Sequence, residues 1–322
     1  MNFAPLLAAL LCLCPVLAGA QAAYPTKPIR ILVGFAPGGG TDIMTRIVAP
    51  RLAEKLGQPV VVDNRPVAGG NLATEAVAKS PPDGYTLLMG TIAALAVNPS
   101  LYKDLPFDPL TDLAPISMGV SLANVVVVNS TLPVKTLPEL IALARQQPGR
   151  ITYSSSGNGT AGHLSGALFE SMADVRLLHV PYKSGGQAMN DLLGGQVNMS
   201  FAAAPGVMAQ LKAGRIQALA VTTRARSPFL PDVPTVTEAA GIKGYESSNW
   251  YGLVGPAKLP RAIVDRLNEA MREALNDVAV REKLAQQGLE PVPGTPEEFA
   301  AFLRSEIAKW AKVVRDTGSR PD

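Results

Sequence analysis

Cysteine is almost absent from this chain of 322 residues, which contains only Cys12 and Cys14. Both lie in an N-terminal segment with a short polar head, an apolar run over residues 6–17 and small residues after it. This order is typical of a secretory signal peptide, so we expect residues 1–20 to be removed, with residue 23 as the latest cleavage point. The mature chain would then hold no thiol, which excludes disulfides, cysteine nucleophiles and thiolate metal sites.

Long apolar runs and charge clusters are also lacking. The apolar run of the N-terminal segment is short, because a membrane-spanning helix needs about 20 residues, and no later stretch is long and uncharged enough. The composition, with 47% hydrophobic and 17% charged residues, is typical of a globular protein, and the formal net charge is only +3. Lys and Arg are scattered along the chain, so we expect no nucleic acid partner, and any affinity for anions must be local.

Histidine is scarce as well, and the patterns of catalytic and metal sites are missing. The chain has only His163 and His179, and no carboxylate stands at a recognisable metal spacing from them. No segment matches the G-x-S-x-G pattern of a hydrolase nucleophile. We therefore expect structural roles for both histidines and a protein that is not an enzyme, with no catalytic residues, no metal and no cofactor.

Short β-branched runs alternate with segments of helical period from residue 29 onward, which is typical of an α/β fold with mostly parallel sheets. Strands are predicted at residues 29–35, 60–63, 86–89, 125–128, 151–154, 177–180, 197–201 and 218–222. Helices are predicted at residues 41–56, 71–79, 137–146, 160–172, 184–193 and 205–212. Pro50 lies inside the first helix, so we expect a kink near Arg46 or an early end.

The last part of the chain differs from the rest. Residues 261–276, 279–287 and 296–314 have helical period, and no strand is predicted between them. Such a tail usually packs back across an earlier lobe, so we expect the chain to leave one lobe and return to it. Extended crossings are predicted near residues 121–124 and 247–251. The first lobe would then comprise residues 24–122 and 249–322, and the second residues 123–248.

Two glycine-rich loops, residues 35–42 and 154–163, each follow a predicted strand and open a predicted helix. Glycine allows close approach of the main chain to a ligand, and N–H groups at a helix start attract anions. Two such loops, one in each lobe, could hold a carboxylate between them. The alternative is that each loop is only a tight turn between strand and helix.

Other interpretations of the loop residues are less well supported by the sequence. Residues 157–162 match the dinucleotide pattern G-x-G-x-x-G, but no acidic residue ends the next strand to bind a ribose. Asp42 is expected to bond N–H groups of its own loop, since it would repel a bound anion. Arg65 and Lys183 are candidates for positive charge near the cleft, with a solvated loop cation as the alternative. Trp250 and Tyr251, at the return crossing, could form an apolar wall of the pocket or pack at the hinge.

The order of several motifs along the mature chain resembles the Bordetella uptake gene (Bug) family, the extracytoplasmic solute receptors of tripartite tricarboxylate transporters. These motifs are VGFAPGGGTD at 33–42, DNRP at 63–66, PDGYTLL at 82–88, YSSSGNGT at 153–160, HVPYK at 179–183 and LPDVPT at 230–235. The resemblance implies a type 2 periplasmic-binding-protein fold, with two α/β lobes joined by two crossover strands and a ligand cleft between them.

The resemblance also implies how the protein works. Main-chain groups and ordered waters of the two loops would hold a small organic carboxylate, such as a di- or tricarboxylate. A periplasmic receptor, expected to be a monomer, would deliver it to a permease with one small and one large integral-membrane subunit. The ligand-binding residues implied by the resemblance and the loops are Phe35, Ala36, Gly39, Gly40, Thr41, Asp42, Ser155, Ser156, Gly157, Asn158, Gly159, Thr160, Lys183 and Ala203.

The sequence departs from the family's usual pattern at a few positions. Asn198 and Ala202 stand in a segment that often carries acidic residues in the family, which makes a plain organic acid a better candidate ligand than an amino acid. Val67 and Ser184 stand where glycine is common. Two alternatives to the transport role stay open: a ligand-sensing adaptor for a sensor kinase, and an exported enzyme acting on a carboxylate.

Overall fold

The structure is a computed structural model that describes residues 24–66, 68–318 and 320. The predicted signal peptide with both cysteines lies outside the described residues, and so does Val67. Within the described ranges, none of the helices is both long and apolar enough to cross a membrane.

A first group of strands is centred on β1 (Ile29–Val33), which pairs in parallel with β2 (Val60–Asn64) and β3 (Thr86–Thr91). Strand β3 pairs antiparallel with β9 (Ser248–Pro256), which pairs antiparallel with β4 (Leu113–Asn129). The α-helices of this part are α1 (Gly40–Leu56), α2 (Asn71–Ala78), α3 (Asn98–Leu101), α9 (Arg261–Asn276), α10 (Val278–Gln286) and α11 (Pro296–Thr317). A 3-10 turn (Ala68–Gly70) precedes α2, and a π-helical turn (Ala93–Val97) follows β3.

Helices cover both faces of this first group of strands. Ile31 of β1 shares an apolar cluster with Met44 of α1 and Leu267 of α9. Its neighbour Leu32 belongs to a different cluster, which contains Trp310 of α11. Because successive side chains of a strand point to opposite faces, β1 is buried on both sides, which explains its continuous apolar sequence.

A second group of strands has β5 (Thr152–Ser155) at its centre, in parallel with β6 (Leu178–Pro181) and β7 (Met199–Ala203). Strand β7 and strand β8 (Ile216–Val221) both pair antiparallel with the C-terminal part of β4. The helices of this part are α4 (Leu137–Gln146), α5 (Ala161–Ala173), α6 (Gly185–Leu193), α7 (Ala204–Lys212) and α8 (Val236–Ala240).

Strand β4 belongs to both groups of strands and connects them. It pairs with β9 from Leu113 to Ala123, and from Asn124 onward it pairs with β7. Residues 121–124 lie in β4 and residues 248–251 lie in β9, so the chain is extended at both predicted crossings. The two crossing segments are thus neighbouring strands of one antiparallel ladder.

The prediction that the C-terminal tail contains no strand is wrong. Strand β10 (Glu290–Pro291) lies between α10 and α11 and pairs with Val120 and Ser121 of β4, although no strand was expected there. It has only two residues, too few to give a periodic pattern. Helix α1 does not end early, because it continues through Pro50 to Leu56. Pro50 and Arg46 are both exposed, so water can reach the carbonyl that proline leaves without a partner.

Candidate functional site

A cavity of about 330 Å³ lies between the two groups of strands. Its wall is formed by strand ends and by the first turns of four helices, α1, α5, α6 and α7. The lining residues of this cavity include no Asp, Glu, Lys, Arg or His. An ionic ligand here would therefore meet main-chain dipoles and neutral polar side chains.

The first glycine-rich loop brings the start of α1 to the cavity. Gly39, Gly40 and Thr41 line it, and no side chain caps the helix start. The first N–H groups of a helix have no partner within the helix, so those of Gly40 and Thr41 are available to a ligand. A Cβ atom on Gly40 would lie 2.6 Å from the hydroxyl of Tyr251, so glycine permits this close packing.

Asp42 is 3% exposed and is not among the lining residues. Its carboxylate accepts hydrogen bonds from the Gly38 N–H, Arg46 Nε and Asn64 Nδ2, each at 2.9 Å. Asn64 Nδ2 also donates to the carbonyl of Phe35 at 3.0 Å. Burial acts to raise the pKa of this carboxyl, but the three hydrogen bonds outweigh it and lower the pKa below its ordinary value. Asp42 thus fixes the shape of the loop from behind.

The second glycine-rich loop leads into α5, where Ala161 and Gly162 line the cavity. The first N–H groups of a helix have no partner within the helix. In α5 no side chain caps them. A Cβ atom on Gly162 would lie 2.5 Å from the carbonyl oxygen of Phe201. The start of α5 therefore packs directly on the main chain of β7.

Several amides earlier in this loop bond within the loop itself. The N–H of Gly157 donates to Ser155 Oγ at 3.2 Å, and that of Gly159 donates to His163 Nδ1 at 3.1 Å. The N–H of Thr160 donates to the carbonyl of Gly157 at 3.3 Å. Gly157 and Gly159 have positive φ angles, 121° and 73°. Glycine adopts this backbone conformation without strain, which explains why glycine stands at both positions.

The two histidines stack on each other beneath this loop, with ring centroids 4.3 Å apart. His179 also stacks on Tyr153 at 4.8 Å, and its Nε2 lies 2.7 Å from Ser155 Oγ. Burial lowers the pKa of His179 to about 3, and the neighbouring His163 ring adds to the shift. The ring stacking and the contact between His179 and Ser155 support Ser155 in the cavity wall.

The described part of the chain contains no group of three or more His, Cys, Asp or Glu side chains that could hold a metal ion.

Helices α6 and α7 also begin at the cavity, although the first turn of neither helix was predicted to bind the ligand. Gly185 and Gly186 line it at the start of α6, and Pro205 and Gly206 at the start of α7. Ser184 is the cap of α6, since its side chain accepts a hydrogen bond from the N–H of Gln187. The pair Gly185 and Gly186, which follows the predicted strand at 177–180, is the sequence feature that indicates a binding site at the start of α6.

The two aromatic residues of the return crossing have different roles. Tyr251 lines the cavity, and its hydroxyl bonds with Thr41 and Asn249. Burial raises the pKa of Tyr251 to about 12, although these hydrogen bonds oppose the shift. Trp250 lies outside the cavity lining, and its Nε1 donates to Glu306 Oε2 at 2.9 Å. The tyrosine thus forms part of the wall, and the tryptophan packs at the crossing.

The structure brings nine of the fourteen candidate residues together around the cavity. They are Phe35, Ala36, Gly39, Gly40, Thr41, Ser155, Ser156, Thr160 and Ala203. The other five are not among its lining residues: Asp42, Gly157, Asn158, Gly159 and Lys183.

Two further positions singled out from the sequence also lie away from the cavity lining. Asn198 Oδ1 accepts hydrogen bonds from the N–H and Oγ1 of Thr152, each at 2.9 Å, and Asn198 is not among the lining residues of the cavity. Ala202 does line the cavity. Arg65 pairs with Asp63 at 3.2 Å.

The rest of the wall is formed by residues that the sequence did not predict. Their positions at strand ends, in the connecting strands or on the second turns of helices carry no local motif. They are Thr91, Ile92, Ala93, Asn124, Ala188, Met189, Asn190, Ser200, Phe201, Ala209, Gln210 and Asn249.

Comparison with protein families gives a match over most of the chain. The family model described as "Tripartite tricarboxylate transporter family receptor" matches residues 44–319. The protein BugT of Bordetella pertussis is 40% identical over 298 residues, which cover 92% of this chain and 91% of BugT.

Solved structures agree with this match. A structure of an R. palustris protein with adipate has a TM-score of 0.89 and 38% identity, and the match covers 93% of this chain and 100% of that one. MatC from Rhodopseudomonas palustris with bound malate has a TM-score of 0.85 and 30% identity, with 90% and 100% covered. These likenesses confirm the predicted two-lobed α/β fold. The relatives are solute-binding receptors, so the prediction of a non-enzymatic protein is also confirmed.

Proposed function

This chain belongs to the tripartite tricarboxylate transporter receptor family, and we propose that it captures a small organic carboxylate in the cavity between its lobes. The mature protein would act in the periplasm, after removal of its signal peptide, as a monomer. It would deliver the ligand to a permease with one small and one large membrane subunit. The bound adipate and malate of the two solved relatives support a carboxylate as the ligand.

The observation that carries this proposal is the uncharged wall formed by four helix starts. Each helix start concentrates N–H groups and a partial positive charge, which together stabilise an anion without a basic side chain. Hydrogen bonds to a charged group contribute about 1.5–3 kcal/mol each, so a few such bonds can offset the cost of immobilising the ligand. Helices α1 and α5 approach from opposite lobes, and a ligand that bonds both would hold the lobes together.

We place the first lobe at residues 24–122 and 249–322 and the second at residues 123–248. The ladder between β4 and β9 supports this division, because its last pair joins Ala123 to Ser248. Binding would then involve Gly40 and Thr41 from the first lobe and Ser156, Ala161 and Gly162 from the second. Asp42 would act indirectly, through the shape of its loop.

A thermal-shift screen of the purified mature protein tests the proposal, with mono-, di- and tricarboxylates as ligands and a neutral sugar and a cation as controls. A carboxylate at 100 times its dissociation constant should raise the free energy of unfolding by about 2.7 kcal/mol. Mass spectrometry of material released from gently denatured protein should identify a carboxylate that copurifies. A shift with the sugar or the cation, and with none of the carboxylates, would contradict the proposal.

A matched pair of variants locates the binding site. Ser156 lines the cavity and is half-buried. Ser156→Asp places a negative charge beside the ligand, whereas Ser156→Asn adds a side chain of the same size without charge. Carboxylate affinity should fall at least about tenfold more in the Asp variant than in the Asn variant. Equal affinities in the two variants would place the anion elsewhere.

A further inference from the structure

The basic residues of the second lobe gather at one end of its sheet, although they are scattered along the sequence. Residues 123–248 contain ten Lys and Arg against seven Asp and Glu, whereas residues 24–122 and 249–322 together contain nineteen of each. The formal net charge of +3 therefore belongs to the second lobe. Its exposed basic residues at the end far from the cavity are Lys135, Arg145, Arg150, Arg176, Lys212 and Arg215.

The order of the strands places three of these arginines in a row. Strands β5, β6 and β7 are parallel and have their carboxyl ends at the cavity, so their amino ends form the opposite edge of the sheet. Arg150 precedes β5 and Arg176 precedes β6, and the N–H of Gly149 donates to the carbonyl of Arg176 at 2.9 Å. Arg215 precedes β8, whose start pairs with the end of β4, which in turn pairs with the start of β7. Because neighbouring strands lie about 4.8 Å apart, the row is about 20 Å long.

The other three basic residues flank this row. Lys212 ends α7, a helix that begins at the cavity and therefore ends at the far side. The side chain of Gln217, in β8, donates to the carbonyl of Lys135 at 2.8 Å. Arg145 donates to the carbonyl of Ala173, the last residue of α5, at 2.7 Å, and this bond stabilises the carboxyl end of that helix.

The three arginines of the row have no such role within the protein. Among the residues that the structure describes, the side chains of Arg150, Arg176 and Arg215 form no ion pair and no hydrogen bond. The acidic residues Glu139 and Asp174 are also exposed at this end, but the basic residues outnumber them. The row is thus an exposed positive surface whose charges the fold itself does not use.

Exposed apolar side chains accompany the row. Leu178, the first residue of β6, is 52% exposed, and Met172, in the last turn of α5, is 36% exposed. At an anionic lipid surface, basic side chains attract the headgroups and apolar side chains enter the boundary between headgroups and acyl chains. Both kinds of side chain lie together here, which favours a lipid surface over a ligand that offers negative charge alone.

We propose that this end of the second lobe binds the surface of a membrane that contains anionic phospholipids. The row of three arginines contacts the headgroup phosphates, and Leu178 and Met172 enter the interface. The cavity lies at the other end of the same strands, so the contact leaves the cavity accessible. The proposal concerns a surface outside the cavity and does not depend on which ligand the cavity holds.

Cosedimentation of the purified mature protein with lipid vesicles tests the proposal. Vesicles of phosphatidylcholine and phosphatidylglycerol in equal parts should bind the protein at low salt, and vesicles of phosphatidylcholine alone should not. Binding should be lost at about 1 M salt, where the screening length is about 3 Å. Each basic side chain at an anionic surface changes the partition coefficient about fivefold, so the triple variant Arg150→Gln, Arg176→Gln and Arg215→Gln should bind about a hundredfold more weakly. Leu178→Ser should weaken binding at least about fivefold.

A matched control variant separates the row from net charge. Lys103, Arg281 and Arg304 of the first lobe are exposed and form no ion pair among the described residues. Their replacement by Gln gives the same net charge as the first triple variant, yet the mixed vesicles should bind this control within about threefold of the natural protein. Circular dichroism and the melting temperature should agree among all these proteins, because every substituted side chain is exposed.

Three outcomes would overturn the proposal. The first is a natural protein that does not bind the mixed vesicles. The second is equal loss of binding in the two triple variants, because net charge alone would then explain the association. The third is retention of the protein on immobilised polyglutamate without binding to vesicles, which would assign the row to an acidic polypeptide. An unchanged affinity of Leu178→Ser would overturn the insertion of Leu178.

Discussion

At Gly162 the first turn of α5 lies against the main chain of β7, and both segments face the cavity. The carbonyl oxygen of Phe201 is a main-chain atom, so it cannot move aside as a flexible side chain could. A methyl group at residue 162 would therefore push the helix start away from the sheet. The position of the α5 amides depends on this one missing side chain, and under the proposed function ligand affinity would depend on it as well.

The substitution Gly162→Ala should lower the free energy of unfolding by about 1–3 kcal/mol and weaken carboxylate binding, because overpacking forces the main chain to shift. Urea denaturation and calorimetry measure the two effects. Gly206→Ala is the matched control, because Gly206 also lines the cavity in a first helical turn, yet beyond its own helical turn no atom of the described residues lies within 4 Å of its added Cβ. Equal effects of the two substitutions would contradict the proposed close packing.

His179 provides a pH test of the stacked pair. Its pKa falls from an ordinary value of 6.5 to about 3 in the folded protein. Between these values the unfolded chain binds a proton at this ring and the folded chain does not, so the free energy of unfolding should rise with pH. In His179→Gln this contribution is absent, and the profile should be flatter between about pH 4 and 6.5. Denaturant titrations across this window measure the slope, and equal slopes in the two proteins would show that His179 is not buried in its neutral form.

At the scale of residues, the sequence identified the two loops because glycine runs after strands have a local signature. It could not identify Asn124 or Thr91, whose role comes from strands that are distant in sequence. Gly157 and Gly159 match the same glycine signature as Gly162. Gly157 and Gly159, however, are needed for their positive φ angles, whereas Gly162 is needed for close packing on β7. Only the folded loop shows this difference.

At the scale of elements, the connecting strands are the main feature that the sequence did not reveal in full. The pattern predicted a strand at residues 125–128, whereas β4 has 17 residues. Irregular register near Pro115 and near Gly119 interrupts the alternation of buried side chains in its first half. Strand β9 contains Gly252 and Gly255, which weaken its strand signal, and Phe299 of α11 packs where a side chain on Gly252 would lie. Helices α4 and α9, with regular apolar periods, match their predicted bounds.

Helix α11 is anchored to β9 by one buried carboxylate. Glu306 is 6% exposed, and its Oε2 accepts from the indole N–H of Trp250 at 2.9 Å and of Trp310 at 3.0 Å. These are the two tryptophans of the chain. The carboxylate thus links the C-terminal helix to the strand that returns from the second lobe.

Replacing Glu306 with Leu should destabilise the protein, because each buried indole N–H left without an acceptor costs about 1–3 kcal/mol. Glu306→Gln is the matched variant, since it keeps an acceptor oxygen at nearly the same volume, and it should lose less stability. Urea unfolding followed by tryptophan fluorescence measures both variants. A Leu variant as stable as the natural protein would show that the two hydrogen bonds contribute nothing to the anchoring of α11.

At the scale of the whole molecule, the two lobes are in close contact around the cavity. A Cβ atom on Gly159 of the second lobe would lie 2.6 Å from Leu101 of the first. A Cβ atom on Gly288 would lie 2.9 Å from Ala204 at the start of α7. Gly159 and Gly288 have no side chain to block these two contacts, so the lobes approach closely enough to enclose a small ligand. The site is therefore formed by both lobes together, which explains why no segment of the sequence predicts all of it.

A crystal structure of the mature protein with a bound carboxylate tests the account most directly. We predict carboxylate oxygens about 2.7–3.2 Å from the main-chain nitrogens of Gly40 or Thr41 in the first lobe and of Ala161 or Gly162 in the second, with no basic side chain in contact. A carboxylate paired with Arg65 or Lys183, or bound outside the cavity while these amides face protein atoms, would contradict it.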